Sequence, residues 1–173
     1  VPGASTSSPG LAFLLATIAE FGEDGWQKYW AELVANDVTV TSGWSDAYYV
    51  DFTAGGGEGD RPIVLSYGSS PAFAPGTSSL DDTCYRQVEY AGVISGTKHE
   101  AEAQKLVDFL LSSTVQGDIA ENMWVFPVNQ QVALPAEWLG AVSIPEQALE
   151  LDPLLVEKNR EKWILEWSQI ATP

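Results

Sequence analysis

Two groups of side chains in this sequence have the chemistry and placement to hold a small ligand. The first is the run Ser5-Thr6-Ser7-Ser8-Pro9-Gly10, which leads into Leu11, Leu14, Leu15 and Ile18, the apolar spacing of a helix. Ser8 reads as its N-cap, with Pro9 at the first helical position. Backbone N–H groups at such a start, with the hydroxyls of Ser7 and Ser8 beside them, form an anion site; the same pattern also serves simple capping. The second group is aromatic. Trp44 follows the break Ser42-Gly43, Tyr67 ends an apolar run, Phe73 lies in the loop beyond it, and Trp124 stands beside Asn122. Trp26, Trp30, Trp163 and Trp167 instead fall within periodic stripes, as core aromatics do. Aromatics at strand ends line crevices, and in an acidic protein such walls suit a flat cation through stacking and cation–π attraction of about 0.5–2 kcal/mol per contact. Core packing is the alternative for each of the four, and a cation that carries a phosphate would use both groups.

Catalytic and metal-binding constellations are absent as motifs. The one histidine, His99, opens a helix in a polar stretch and reads as a solvated surface group rather than a general base. Without a second histidine, and with Cys84 alone, neither a metal pair, a Cys/His dyad nor a disulfide framework is indicated. Cys84 reads as a buried small hydrophobe, with a partner elsewhere in a longer chain as the alternative. There is no GxSxG elbow, so a hydrolase or transferase would have to pair Ser7, Ser8 or Ser66 with His99 or a carboxylate without a recognisable motif. The carboxylates are scattered and read as a solvated surface. With 24 Asp+Glu against 8 Lys+Arg, a net charge of −16 and no basic cluster, nucleic acid is excluded as a partner. An apolar content of 45% with seven tryptophans indicates a folded globular protein, and no apolar run approaches the roughly 18 residues that cross a bilayer. The sequence opens on Val1 with no signal-peptide pattern, and it reads as a piece of a longer protein.

The elements that must position these groups follow from periodicity. The first helix ends at Gly22, and Asp24 is expected to cap a second whose face is Trp26, Tyr29, Trp30, Leu33 and Val34. Val38–Thr41 alternates like a strand, a helical segment runs from Ser45 or Asp46 to about Phe52, and Gly55–Asp60 is a turn or mobile loop. Pro62–Tyr67 reads as a strand buried on both faces, Ser69–Ser79 as a loop, and Gln87–Ile94 as another strand. Thr97 and Glu100 form a capping box for a helix bearing Ala103, Leu106, Val107, Leu110 and Leu111, and a short helix spans about Val115–Ala120. Met123–Val128 is extended, and Asp152-Pro153 starts a closing helix with Trp163, Ile164, Trp167 and Ile170 on its face. Helices alternating with single buried strands predict an α/β architecture.

Four stretches in this order resemble the C-terminal half of thiamine-binding periplasmic proteins: Thr6–Leu11, Val38–Tyr48 (VTVTSGWSDAY), Val64–Ala72 (VLSYGSSPA) and Asn122–Val128 (NMWVFPV). The tail Asn159–Gln169 is similar to the family's closing helix. The resemblance implies the second lobe, in the main, of a two-lobed type II periplasmic-binding-protein fold, with the N-terminal lobe missing from this chain. It implies residues 1–92 as second-lobe α/β chain, 93–142 as a crossing toward the first lobe, and 143–173 as a helical tail. It further implies an ABC-importer subunit, periplasmic or extracellular and with or without a membrane tether, monomeric, partnered by a membrane permease and not an enzyme. No cofactor or metal is implied; thiamine, thiamine monophosphate or thiamine diphosphate is the transported ligand. By matching position, Ser7 and Ser8 would hold its phosphate or hydroxyethyl end, and Trp44, Tyr67 and Trp124 would flank its rings. Phe73 stands where the family often carries a tyrosine; it can stack but offers no hydroxyl. Glutamate is common where Asp46 stands, and no ligand role attaches to that residue. The alternative ligands are a polyamine or ferric iron. Tyr48-Tyr49 is the adjacent pair iron would use, although on an α-helix its members diverge by about 100°.

Overall fold

A computed structural model of the chain describes residues 1–142 and 144–172. The chain divides into two compact units. One comprises Val1–Gly68, Leu80–Gln87 and Ile144–Pro173, the other Ser69–Ser79 and Val88–Ser143. Residues 143 and 173, the ends of the expected helical tail, lie outside the described residues.

The core of the first unit rests on three helices, α1 (Ser8–Phe21), α2 (Trp26–Ala35) and α6 (Pro153–Ala171). Each brings an apolar pair at helical spacing to one place: Leu14 with Ile18, Trp26 with Trp30, and Trp163 with Trp167, all buried. The indoles meet edge-on. Trp30 and Trp167 lie 5.5 Å apart at 86°, and Phe13 meets Trp30 at 5.3 Å. Two of these indoles place their N–H on an acceptor, whereas the buried Trp167 Nε1 has none among the described residues. Trp30 Nε1 donates to Thr17 Oγ1 at 3.0 Å, and that hydroxyl donates onward to the Leu14 carbonyl at 2.7 Å. Trp163 Nε1 donates to Glu23 Oε1 at 3.1 Å.

The punctuation of these helices was partly legible. Gly22 ends α1 with φ of 72° and its N–H on the Ile18 carbonyl, and Asp152 Oδ1 accepts from Leu154 N at 2.9 Å, ahead of Pro153. Three expected caps are corrected. Ser7, not Ser8, holds the N-cap of α1, and its side chain makes no capping bond; Gly25, not Asp24, precedes α2. His99 precedes α4 (Glu100–Leu110) without a side-chain cap, because the Thr97 hydroxyl stops at accepting from His99 N at 3.2 Å and does not reach the helix. His99 is exposed, as a solvated group should be.

The expected strands did not form. Among the described residues there are three isolated parallel bridges, Pro2 with Thr41, Phe52 with Arg61 and Tyr85 with Leu149, and no ladder. Val38–Thr41 is extended chain tied by Thr41 N to the Val1 carbonyl and Gly3 N to the Thr41 carbonyl, both at 2.9 Å. Pro62–Tyr67 is not buried on both faces, since Ile63 is 81% exposed, and Gln87–Ile94 leaves Tyr90 89% exposed. The described residues are therefore helix-rich, with strand pairing limited to these three bridges. An extended run becomes a strand only when a neighbour pairs with it over several residues, and the neighbours present here meet it at single positions. Cys84 is half-buried rather than buried, with its carbonyl accepting from Leu149 N at 2.7 Å beside the Tyr85 bridge.

The second unit holds α4 and α5 (Ser113–Met123), the latter longer than expected at both ends. Ser112 caps α5 by accepting from Val115 N at 3.4 Å. The apolar stripe of α4 is only partly covered: Ala103, Val107 and Leu110 are half-buried, whereas Leu106 and Leu111 are 57% and 53% exposed.

Candidate ligand-binding site

Trp44 begins a helical turn, α3 (Trp44–Asp46), that passes directly into a π-helix at Ala47–Asp51. Phe52 N reaches back five residues to the Ala47 carbonyl at 3.1 Å, so this turn holds one residue more than an α-turn. The extra residue corrects the expected divergence of Tyr48 from Tyr49. Both rings touch Trp44: Tyr48 stacks on it at 4.8 Å and 22°, and Tyr49 meets it edge-on at 5.3 Å. The glycine loop closes on the backbone of the same turn; a Cβ at Gly55 would lie 1.6 Å from the Tyr48 carbonyl oxygen, so only glycine fits.

Tyr67 joins this group at 5.9 Å and 57° from Trp44. Trp44 Nε1 donates to Ser66 Oγ at 2.9 Å, which draws the 62–67 segment against the indole. Trp44 and Tyr67 are each half-buried, so part of each ring remains open to solvent. Tyr48 is buried, and that burial, helped by the neighbouring Tyr49, raises its phenol above the ordinary tyrosine range.

In the second unit Phe73 and Trp124 stack on one another at 4.6 Å and 24°. Behind them lies Trp138, fully buried, with its ring edge-on to both Phe73 and Phe126 at 5.5 Å. Trp138 was not anticipated. It follows Leu134-Pro135 in irregular chain, where no period marks a core residue. Trp124 ends α5 in the left-handed conformation, with φ of 58°, which costs a non-glycine residue on the order of 1–2 kcal/mol. Two buried polar side chains tie down the chain at and after it. Ser69 Oγ donates to the Trp124 carbonyl, and Gln116 Oε1 accepts from Val128 N at 2.8 Å and Asn129 N at 3.3 Å while its Nε2 donates to the Leu110 carbonyl at 2.9 Å. Gln116→Leu strands these backbone groups, so we expect a loss of about 1–3 kcal/mol of stability in chemical denaturation, with the 124–129 segment the first to gain amide exchange.

Ser7 and Ser8 lie at the rim of α1, where an open concavity of about 470 Å³ is lined by Ser5, Thr6, Ser7, Ser8, Arg160 and Ile164 among others. Gly10 permits the helix to start there, because a Cβ on it would fall 2.4 Å from the carbonyl oxygens of Pro2 and Gly3. Arg160 was not anticipated. It stands on α6, one turn before Trp163, and its Nη2 pairs with Glu161 Oε1 at 2.9 Å at the solvent edge. Of the six expected residues, Ser7 and Ser8 thus share one concavity, Trp44 and Tyr67 share one aromatic group, and Phe73 and Trp124 share another.

The family model of bacterial extracellular solute-binding proteins matches residues 1–148. The chain belongs to that family. The thiamine-binding periplasmic protein of Escherichia coli K12 is 34% identical over 175 residues, covering 96% of this chain and 51% of its own length. Its counterpart in Brucella suis biovar 1 is 33% identical over 171 residues, covering 94% of the chain and 49% of its own. A solved periplasmic thiamin binding protein matches with a TM-score of 0.81 and 34% identity, over 99% of the chain and 54% of that structure. This solute-binding protein is therefore consistent with a periplasmic-binding-protein fold, and the chain spans about half the length of the relatives it matches.

Proposed function

We propose that the protein is the extracytoplasmic solute-binding subunit of a thiamine ABC importer. It takes thiamine, thiamine monophosphate or thiamine diphosphate as transported ligand, delivers it to a membrane permease, works outside the cytoplasm and catalyses no reaction. The observation that carries this reading is the likeness to relatives named as thiamine-binding periplasmic proteins along 96% of the chain. No helix among the described residues is long and apolar enough to cross a membrane.

The geometry supports the same reading. The ligand couples two aromatic rings, one of them cationic, to a hydroxyethyl or phosphate end. Trp44 and Tyr67, half-buried and tilted against each other, offer faces for the rings, and Phe73 with Trp124 offers a second pair. The concavity beside Ser7 and Ser8 adds the positive end of α1, suited to a phosphate, while the Arg160 guanidinium in the same lining is paired with Glu161. With this goes the assignment of residues 1–92 to the second lobe, 93–142 to a crossing segment and 143–173 to the closing tail. The ferric alternative loses support, since the Tyr48 ring is spent in a stack and its burial disfavours the phenolate that iron requires. The relatives are named for binding and not for a reaction, which leaves the hydrolase or transferase reading without support.

A thermal-shift series on the whole protein tests this function. Saturating thiamine or its phosphates should raise the melting temperature, because a ligand at a thousand times its Kd stabilises by about 4 kcal/mol. A shift with spermidine or ferric citrate, and none with any thiamine form, would overturn the proposal.

A further inference from the structure

We propose that Ser66 is a positioning residue for the binding site: it sets the plane of the Trp44 indole through the bond from Nε1 and thereby fixes the spacing between the Trp44 and Tyr67 rings. The inference rests on the functional reading above. An aromatic wall discriminates ligands only if its plane is held, since a ring free to turn about χ2 loses the entropy of being fixed when the ligand arrives. Trp44 is held by ring contacts and by one hydrogen bond. Tyr48 stacks on one face at 4.8 Å, which limits the ring's tilt but leaves it free to slide. The 2.9 Å bond to Ser66 Oγ removes that freedom, because an indole has a single donor and a bond from it fixes which edge faces which way.

The serine's place in the chain gives the bond a second effect. Ser66 immediately precedes Tyr67, in a segment with no sheet ladder to set its register. A bond from Trp44 to the residue beside Tyr67 therefore transmits the position of one wall to the other, and the rings stand 5.9 Å apart at 57°. Alanine at position 66 leaves the half-buried indole N–H without this acceptor and removes the link between the Trp44 wall and the 62–67 segment. Threonine keeps the oxygen in place.

The test is a double-mutant cycle in the whole protein, read by calorimetric titration with thiamine. Ser66→Ala should weaken binding about five- to tenfold, the worth of one hydrogen bond, and Ser66→Thr should restore most of it. In a Trp44→Phe background, which keeps an aromatic face but has no N–H, Ser66→Ala should cost no further affinity. In the unliganded protein the indole N–H resonance assigned to Trp44, by its loss in Trp44→Phe, should move and exchange faster with solvent in Ser66→Ala. An undiminished loss in the Trp44→Phe background would mean that Ser66 touches the ligand directly, and unchanged affinity or an unmoved indole resonance would mean that it does not hold the ring; each overturns the proposal while thiamine binding by the parent protein stands. A parent protein that binds no thiamine form overturns the functional reading, and the positioning role with it.

Discussion

In the whole protein, Trp44→Ala is expected to weaken thiamine binding about thirty- to a hundredfold, or about 2–3 kcal/mol. A base stacked on an aromatic side chain is worth about 1–3 kcal/mol, and a cation over the ring face adds about 0.5–2. Alanine also removes the partner on which Tyr48 stacks and the donor that engages Ser66, so the surrounding wall loosens as well. The core should be untouched, because Trp44 is not among the residues of the α1, α2 and α6 cluster. Calorimetric titration alongside a melting curve separates the two: affinity falls while the unliganded melting temperature changes little. Unchanged affinity in this variant would remove Trp44 from the site.

The largest effect on stability is expected at Trp30. It is fully buried, takes edge contacts from Phe13 and Trp167, and places its N–H on Thr17. Trp30→Ala opens a cavity between three helices and leaves the Thr17 hydroxyl without that donor, at a cost of about 3–5 kcal/mol. Whole domains are stable by only about 5–15 kcal/mol, so this single change brings the first unit close to unfolding. At about 2–4 °C per kcal/mol for a chain of this size, the melting temperature should drop by roughly 6–20 °C. The matched control is Val34→Ala on the same helix, whose side chain is exposed and whose loss should shift the midpoint little. Equal effects at the two positions would contradict this account of the core.

What could be read in advance divides along a physical line. Helices carry their own evidence, because their hydrogen bonds close within the segment and their buried faces recur at i and i+4. The Leu14–Ile18, Trp26–Trp30 and Trp163–Trp167 pairs, the stop at Gly22 and the Asp152-Pro153 start were all legible for that reason. Strands need partners from elsewhere. The apolar run at Ile63–Tyr67 and the alternation at Gln87–Ile94 promised strands, yet a sequence pattern states only that a segment could pair, not that a neighbour is present. The half-covered stripe of α4 is the same limit in helical form, since its periodicity was legible and the depth of its burial was not.

The candidate site was legible in its aromatics and less so in what holds them. Trp44, Tyr67, Phe73 and Trp124 stood out because they interrupt regular structure, and the structure groups them in two pairs. The π-turn that turns Tyr48 and Tyr49 onto one indole has no sequence signature, and an adjacent pair is misjudged if the turn is assumed to be α-helical. The structural roles of Ser66, which the sequence offered only as a possible nucleophile, and of Ser69, Gln116 and Trp138 were not legible because each acts across many residues of chain, with its partner chosen by the fold. The glycines of the 55–59 loop carried a signal that was read as freedom, although at Gly55 the requirement is close approach to the Tyr48 carbonyl.

The most direct test of the central claim is calorimetric titration of the whole protein with thiamine and, separately, with spermidine. The account predicts one thiamine site per chain, with binding at least a hundredfold tighter than any spermidine binding, because flat aromatic walls reward a ring cation over a linear one. Spermidine binding with no heat from thiamine would contradict it and reduce the likeness to thiamine-binding relatives to shared ancestry.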